Sequence, residues 1–210
     1  MSDELLVNET FNSIEGEGKR AGALATFIRL TGCNLRCSYC DTAYAFCEGT
    51  RKSVQDIIDR VLYHNVTITG GEPLTQDIRG LIRGLAHHDV NIETNGSIDI
   101  RPYECYPHVF FTIDYKCDSS GMSQRMLSSN FECLRPKDVL KFVVGDYKDL
   151  EQAKEICERY SPKCNVYVSP VFGKITPVGI VEYIKRNSLQ NWKLQLQLHK
   201  YIWNPNERGV

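Results

Sequence analysis

With 25 Lys and Arg set against 26 Asp and Glu, the 210-residue chain carries a net charge of -1, which excludes the broad basic face that nucleic acid demands. Its length suits a single domain over residues 1–210 that buries roughly 70% of the surface its unfolded form exposes. Nine cysteines, an odd number with no signal peptide before them, speak against a secreted disulfide framework and for a reducing, cytoplasmic setting; no apolar run approaches the roughly 20 residues that a bilayer crossing needs.

Leu5 to Phe11 is apolar and partly alternating, and predicts a first strand or hairpin arm that delivers the glycine-rich turn Glu15 to Gly18, where backbone can approach a ligand. Ala25 to Leu30 predicts a buried strand. The stretch Gly32 to Thr42 leaves its C-terminal end, the place where ligand sites collect in parallel α/β folds. Ser53 caps a predicted helix to about His64, with Val54, Ile57, Ile58, Val61 and Leu62 on one face. Val66 to Thr69 is a short buried strand running into Gly70-Gly71-Glu72-Pro73, and a helix over about 77–88 leads to strand Val90 to Thr94 and the turn Asn95-Gly96. After a linker from Pro102 to Pro107 come strands Val109 to Asp114 and Val139 to Val144, then a helix from about Asp149 to Tyr160. Strand Val166 to Ser169, helix Ile175 to Arg186 and strand Trp192 to Leu198 complete the chain. The alternation predicts right-handed crossovers and a mostly parallel sheet of about six βα units, fewer than close a barrel.

Cys33, Cys37 and Cys40 crowd one turn. Three thiolates cannot complete a tetrahedral zinc site, but they can hold three corners of a four-iron cluster and leave one iron open to a small molecule. Soft ligands suit either metal. A zinc knot would need Cys47 as its fourth ligand, and a non-catalytic zinc-binding module is the alternative from another class. Cys47, Cys105, Cys117, Cys133, Cys157 and Cys164 show no second metal spacing and read as mostly packing residues. Arg29 interrupts an apolar strand; a buried guanidinium is costly unless paired or ligand-bound, which makes it a candidate anion contact with Glu17 as a candidate partner.

The spacing CxxxCxxC followed by Asp41-Thr42 resembles the radical S-adenosylmethionine (SAM) superfamily. With Ser13-Ile14-Glu15-Gly16-Glu17-Gly18 upstream and Gln197-Leu198-His199-Lys200-Tyr201 near the end, nearly the whole chain resembles the 7-carboxy-7-deazaguanine synthase family. The resemblance implies an α/β fold, an abbreviated, incomplete (β/α)6-type radical-SAM barrel with a mostly parallel sheet. It implies a [4Fe-4S] cluster on Cys33, Cys37 and Cys40, and SAM beside Tyr39, Cys40, Asp41, Gly71, Glu72, Asp114, Tyr115, Lys116, Ser169, Pro170, Val171 and Phe172. Relatives carry Ser-Pro-Lys where this chain has Asp114-Tyr115-Lys116, and Gln where it has Glu15. Thr42 would ligate Mg²⁺, an ion that takes few protein oxygens.

The implied substrate, 6-carboxy-5,6,7,8-tetrahydropterin, would meet Ile14, Glu15, Gly16, Glu17, Arg29, Thr69, His199 and Val210, which offer acceptors for its N–H edge and a cation for its carboxylate. The implied activity is that of a carbon–nitrogen lyase: radical ring contraction to 7-carboxy-7-deazaguanine with loss of ammonia, on the route to queuosine and related deazapurines. Implied partners are a one-electron donor such as flavodoxin or ferredoxin, and a second copy in a homodimer. A small radical-SAM glycyl-radical activase would share the cluster loop and the GGEP turn but should lack the GEG turn and the QLHKY tail.

Overall fold

The computed structural model describes residues 3–205 and 207–210. Strands β1 (Glu4–Ile14), β2 (Leu24–Leu30), β3 (Thr50–Ser53), β4 (Asn65–Gly70), β5 (Asp89–Thr94), β6 (Val109–Tyr115), β7 (Val139–Val144), β8 (Asn165–Pro170) and β9 (Trp192–Leu194) form one sheet in the order β3-β1-β2-β4-β5-β6-β7-β8-β9. From β2 through β4 to β9 the pairing is parallel, while β1 lies antiparallel to both β2 and β3 at one edge. The sheet is unclosed, and the fold is the incomplete α/β barrel that the sequence predicts. Helices α1 (Val54–Ile58), α2 (Arg79–Gly84), α3 (Ser129–Glu132), α4 (Tyr147–Tyr160) and α5 (Pro177–Arg186) lie in the connections between strands, and α6 (His199–Ile202) follows β9. Among the described residues no helix is long and apolar enough to cross a membrane.

Side-chain alternation along the parallel strands divides the molecule into two faces. One parity, Ile28 and Leu30, Val66 and Ile68, Val90 and Ile92, Phe111 and Ile113, Leu140 and Phe142, Val166 and Val168, joins the apolar core with residues of the helices such as Ile57, Leu81, Leu150 and Ile180. The other parity places Arg29, Thr69, Glu93, Thr112, Asp114 and Lys141 against a single cavity. The inner face of the sheet is therefore polar although the strands read as apolar runs.

Local capping explains where elements begin. Ser53 accepts the Asp56 amide at the start of α1, Asp146 accepts the Lys148 and Asp149 amides at α4, and Thr176 accepts from Gly179 ahead of Pro177 at α5. The helix predicted to run to His64 stops at Ile58, because the Thr26 hydroxyl accepts the amides of Leu62 and Tyr63 at 3.1 and 3.2 Å and draws the chain toward β4. The second helix is likewise shorter than expected. It packs so closely on α1 that a Cβ at Gly84 would stand 2.1 Å from Ile58 Cδ1. Strand β3 has no counterpart among the predicted elements, since its sequence, Thr-Arg-Lys-Ser, carries no apolar alternation. The last strand ends at Leu194 rather than Leu198, where the Gln195 side chain turns to exchange two hydrogen bonds with the Gly18 backbone at 2.8 and 3.0 Å.

Candidate active site

At the C-terminal ends of the parallel strands a cavity of 570 Å³ opens, walled by the cysteine loop, the inner face of the sheet and the C-terminal segment. Cys33, Cys37 and Cys40 all line it. The loop is braced from two sides. Ser38 bonds the carbonyls of Ser119 and Ser120, and the Tyr39 hydroxyl donates to the Val143 carbonyl at 3.2 Å. Behind it lies the Gly70-Gly71 turn, where the Gly71 amide donates to Leu30 O and that of Glu72 to Gly32 O. Any side chain at position 71 would collide, its Cβ standing 2.2 Å from Gly32 O and 2.8 Å from Cys33 Cβ; Gly70, with φ of 147°, sits in a conformation that only glycine adopts readily.

The three thiols share one electrostatic environment. Burial first, then Asp114, Cys40 and Cys33, push the Cys37 thiol above its ordinary range against the pull of Lys116, and burial with Asp41 and Cys33 raises Cys40. Cys33 Sγ accepts the Leu35 amide at 3.4 Å and Asn95 Nδ2 at 3.9 Å. Three thiols on one loop, with N–H donors on Cys33 Sγ, fit the cationic core of an iron–sulfur cluster, which would bind them as thiolates and offset the repulsion among those charges. Among the described residues no three His, Cys, Asp or Glu side chains close around a point as a single ion requires, and Cys47 stands outside the cavity. Cys47 and Cys105 are exposed, so neither is the packing residue that its lack of metal spacing suggested.

The structure brings the two remote motifs together. The Leu198 amide donates to Gly16 O at 2.9 Å, and a Cβ at Gly16 would lie 2.3 Å from His199 Nδ1. Ile14, Glu15, Gly16, Glu17, Arg29, Thr69, His199 and Val210 all line the cavity, as do Tyr39, Asp41, Thr42, Gly71, Asp114, Lys116, Val171 and Phe172. Burial lowers the His199 imidazole below its ordinary range. Thr42 Oγ1 donates to Asp41, whose carboxyl is held at about 2: Lys200, 3.0 Å away, outweighs the desolvation that opposes it.

Four expected contacts fall elsewhere. Glu72 is fully buried behind the cavity wall, where it accepts from the Leu74 and Asn95 amides and from Thr94 Oγ1 at 2.6 to 3.0 Å and so braces the glycine turn against the end of β5. Burial lifts its carboxyl to about 7 against those hydrogen bonds. Tyr115 points to the outer face, against Phe131 and Phe142, because strand alternation turns it away from Asp114 and Lys116. Ser169 and Pro170 end β8 without reaching the cavity, and only the following Val171 and Phe172 do. The expected Arg29–Glu17 pair is also absent: Arg29 Nε donates to Glu9 at 2.7 Å, and Glu17 pairs with Lys141 at 2.6 Å.

Sequence reasoning missed a charged floor. Lys141, from the middle of β7, sits between Glu17 and Asp114, the latter 3.7 Å away, and Asp114 also pairs with Lys116 at 3.0 Å. Despite its burial, Glu17, Asp114 and Glu93 hold Lys141 protonated, above the ordinary lysine range. Burial, then the charge of Glu15, pushes Glu93 up to about 7. The signal was present as parity: Arg29, Thr69, Glu93, Thr112, Asp114 and Lys141 are polar residues in apolar strands, all on the side facing away from the helices. Over the floor the C-terminal segment closes back, Arg208 bonding Glu48 at 3.1 Å and stacking on Tyr44 at 3.8 Å.

Comparison with known proteins gives three findings. Residues 27–114 match the radical SAM superfamily. Proteins from Clostridium acetobutylicum and Chlorobaculum tepidum, each a 7-carboxy-7-deazaguanine synthase, are 46% and 39% identical to this chain, over 97% and 98% of it and 98% and 97% of their own lengths. The crystal structure of QueE from Escherichia coli superposes with a TM-score of 0.76 at 26% identity, over 92% of this chain and 94% of that one.

Proposed function

The chain belongs to the 7-carboxy-7-deazaguanine synthase family of the radical SAM superfamily, and from that premise we propose that it converts 6-carboxy-5,6,7,8-tetrahydropterin to 7-carboxy-7-deazaguanine and ammonia. As a radical SAM protein it takes a [4Fe-4S] cluster and SAM. Bound together, these supply a 5′-deoxyadenosyl radical that can remove and return a hydrogen atom. The ring contraction is balanced without an external oxidant: one nitrogen leaves as ammonia and the carbon skeleton is kept.

The observation that carries this reading is the opening of the cysteine loop and the charged floor into one cavity. Cys33, Cys37 and Cys40 would hold three irons, with the Gly70-Gly71 backbone, Tyr39 and Lys116 around SAM. Arg29 would take the substrate carboxylate, since among the described residues Glu9 engages only its Nε. The backbone from Ile14 to Gly16, with Glu15, Glu17 and Thr69, would face the pterin, and His199 and Val210 would close over it. Thr42 offers a hydroxyl for Mg²⁺, with the rest of the shell from water and substrate. A flavodoxin- or ferredoxin-type donor and a homodimeric assembly complete the proposal.

The test is anaerobic turnover with reconstituted cluster, reductant, SAM and Mg²⁺. Formation of 7-carboxy-7-deazaguanine is expected, and rapid SAM cleavage without any deazapurine rejects the substrate.

A further inference from the structure

The loop between β1 and β2 lies across the inner floor. It is pinched shut by the Glu15 amide on Ala23 O and the Gly22 amide on Glu15 O, both at 2.8 Å. Gln195 ties it at Gly18 to the end of β9. On the opposite side Arg20 reaches into the starts of β4 and β5. Its Nη1 donates to Asp89 O at 2.8 Å and Asn65 Oδ1 at 3.3 Å, and its Nη2 lies 2.6 Å from Glu15 Oε1, 3.0 Å from Thr67 Oγ1 and 3.2 Å from Val66 O. The guanidinium also lies over the Phe110 ring at 5.0 Å. The Arg20 side chain is largely buried and that of Glu15 fully so, at 12% and 3% exposed.

The hydrogen bonds to the Glu15 carboxylate fall on one of its two oxygens. Arg20 Nη2 and Thr67 Oγ1 both donate to Oε1, at 2.6 and 2.5 Å, while Glu15 itself lines the cavity. Oε2 is the oxygen left for a ligand. A planar guanidinium fixed by backbone carbonyls at two strand starts can set the plane of that carboxylate, which a single hydroxyl cannot. We propose that Arg20 is a positioning residue, which turns Glu15 so that its Oε2 accepts an N–H from the substrate's guanidine-like edge. This rests on the pterin reading of the site. It assigns a role to a residue that lies outside every motif of the chain and touches the cavity only through its partner.

The test is a double-mutant cycle on Arg20→Gln and Glu15→Gln, read as KM and kcat for the carboxypterin, with iron content and substrate-free SAM cleavage as controls at the cluster end. Loss of one partner of a buried charge pair should raise KM about 30-fold or more in Arg20→Gln, leaving both controls unchanged. With Glu15→Gln already in place, removing Arg20 should cost less than about threefold, because the two act as a unit. An unchanged KM in Arg20→Gln, or an equal loss in both backgrounds, overturns the proposal. Should Arg20→Gln fail to fold, Arg20→Lys keeps the cation without the fork and is read in the same two backgrounds, by the same criterion. A wild-type protein that cleaves SAM but leaves the carboxypterin intact sinks the functional reading alone. Arg20 is then judged by the same cycle in melting temperature, where additive losses sink the pair and coupled losses support it.

Discussion

The cysteine loop and the charged floor face each other across one cavity, yet they are built in opposite ways. The loop is a contiguous stretch whose thiols are half-buried to exposed and whose ties to the body are a few short hydrogen bonds. The floor gathers single side chains from the β1–β2 loop, β5, β6 and β7, buries them and balances their charges against one another. The difference teaches where chemistry and stability coincide. Cluster ligands can be removed without touching the core, whereas the floor's charges, largely buried at the cavity wall, depend on one another more than on solvent.

The largest expected effect follows from the loop. Alanine at Cys33, Cys37 or Cys40 should abolish turnover and the visible absorption of the cluster, while the metal-free protein melts within about 1 kcal/mol of wild type, as for other partly exposed sites. A metal-free variant that loses several kcal/mol would show that the loop is part of the core after all. Next comes the floor. Lys141→Met leaves Glu17 without its partner and Asp114 with Lys116 alone, and breaking such a largely buried pair costs about 2–4 kcal/mol. Thermal melting of the metal-free variant checks it; a loss below about 1 kcal/mol would mean that water reaches these carboxylates and the two regions differ less than their burial says.

The same contrast decides how much was legible in the sequence. Cysteine chemistry is written in local spacing, so Cys33, Cys37 and Cys40 could be named before any fold was known, and apolar runs located β2 and β4 to β8. Capping marked Ser53, yet the end of its helix depended on the hydroxyl of Thr26, a partner remote in sequence. Charge pairing was beyond reach for the same reason: Lys141 meets Glu17 across 124 positions, and nothing near either residue announces the other. Tyr115 shows what strand parity adds. Flanked by two cavity residues, it was grouped with them by motif, and alternation sends it to the core. Applied to every parallel strand, that rule would have marked Glu93 and Lys141 as inward-facing.

The smallest expected effect sharpens the comparison through pH. Glu93 is raised from an ordinary 4.5 to about 7, chiefly by burial and then by the charge of Glu15. A carboxyl raised in the folded state binds its proton more tightly there than in the unfolded chain. Its stabilising contribution is therefore complete below about pH 4.5, declines as pH rises and is gone above about 7. Glu93→Gln keeps an acceptor for Thr69 and removes the charge. At pH 8 the metal-free variant should be more stable than wild type by about 1–3 kcal/mol, and the gap should close toward pH 5. Asp41 at the rim behaves in the opposite sense: Lys200 holds it at about 2, so its contribution is lost only in strong acid and stays flat across this window. A Glu93→Gln gap that does not change between pH 5 and 8 would mean that Lys141 keeps Glu93 ionised throughout, and that the floor, like the rim, holds its charges by pairing rather than by burial.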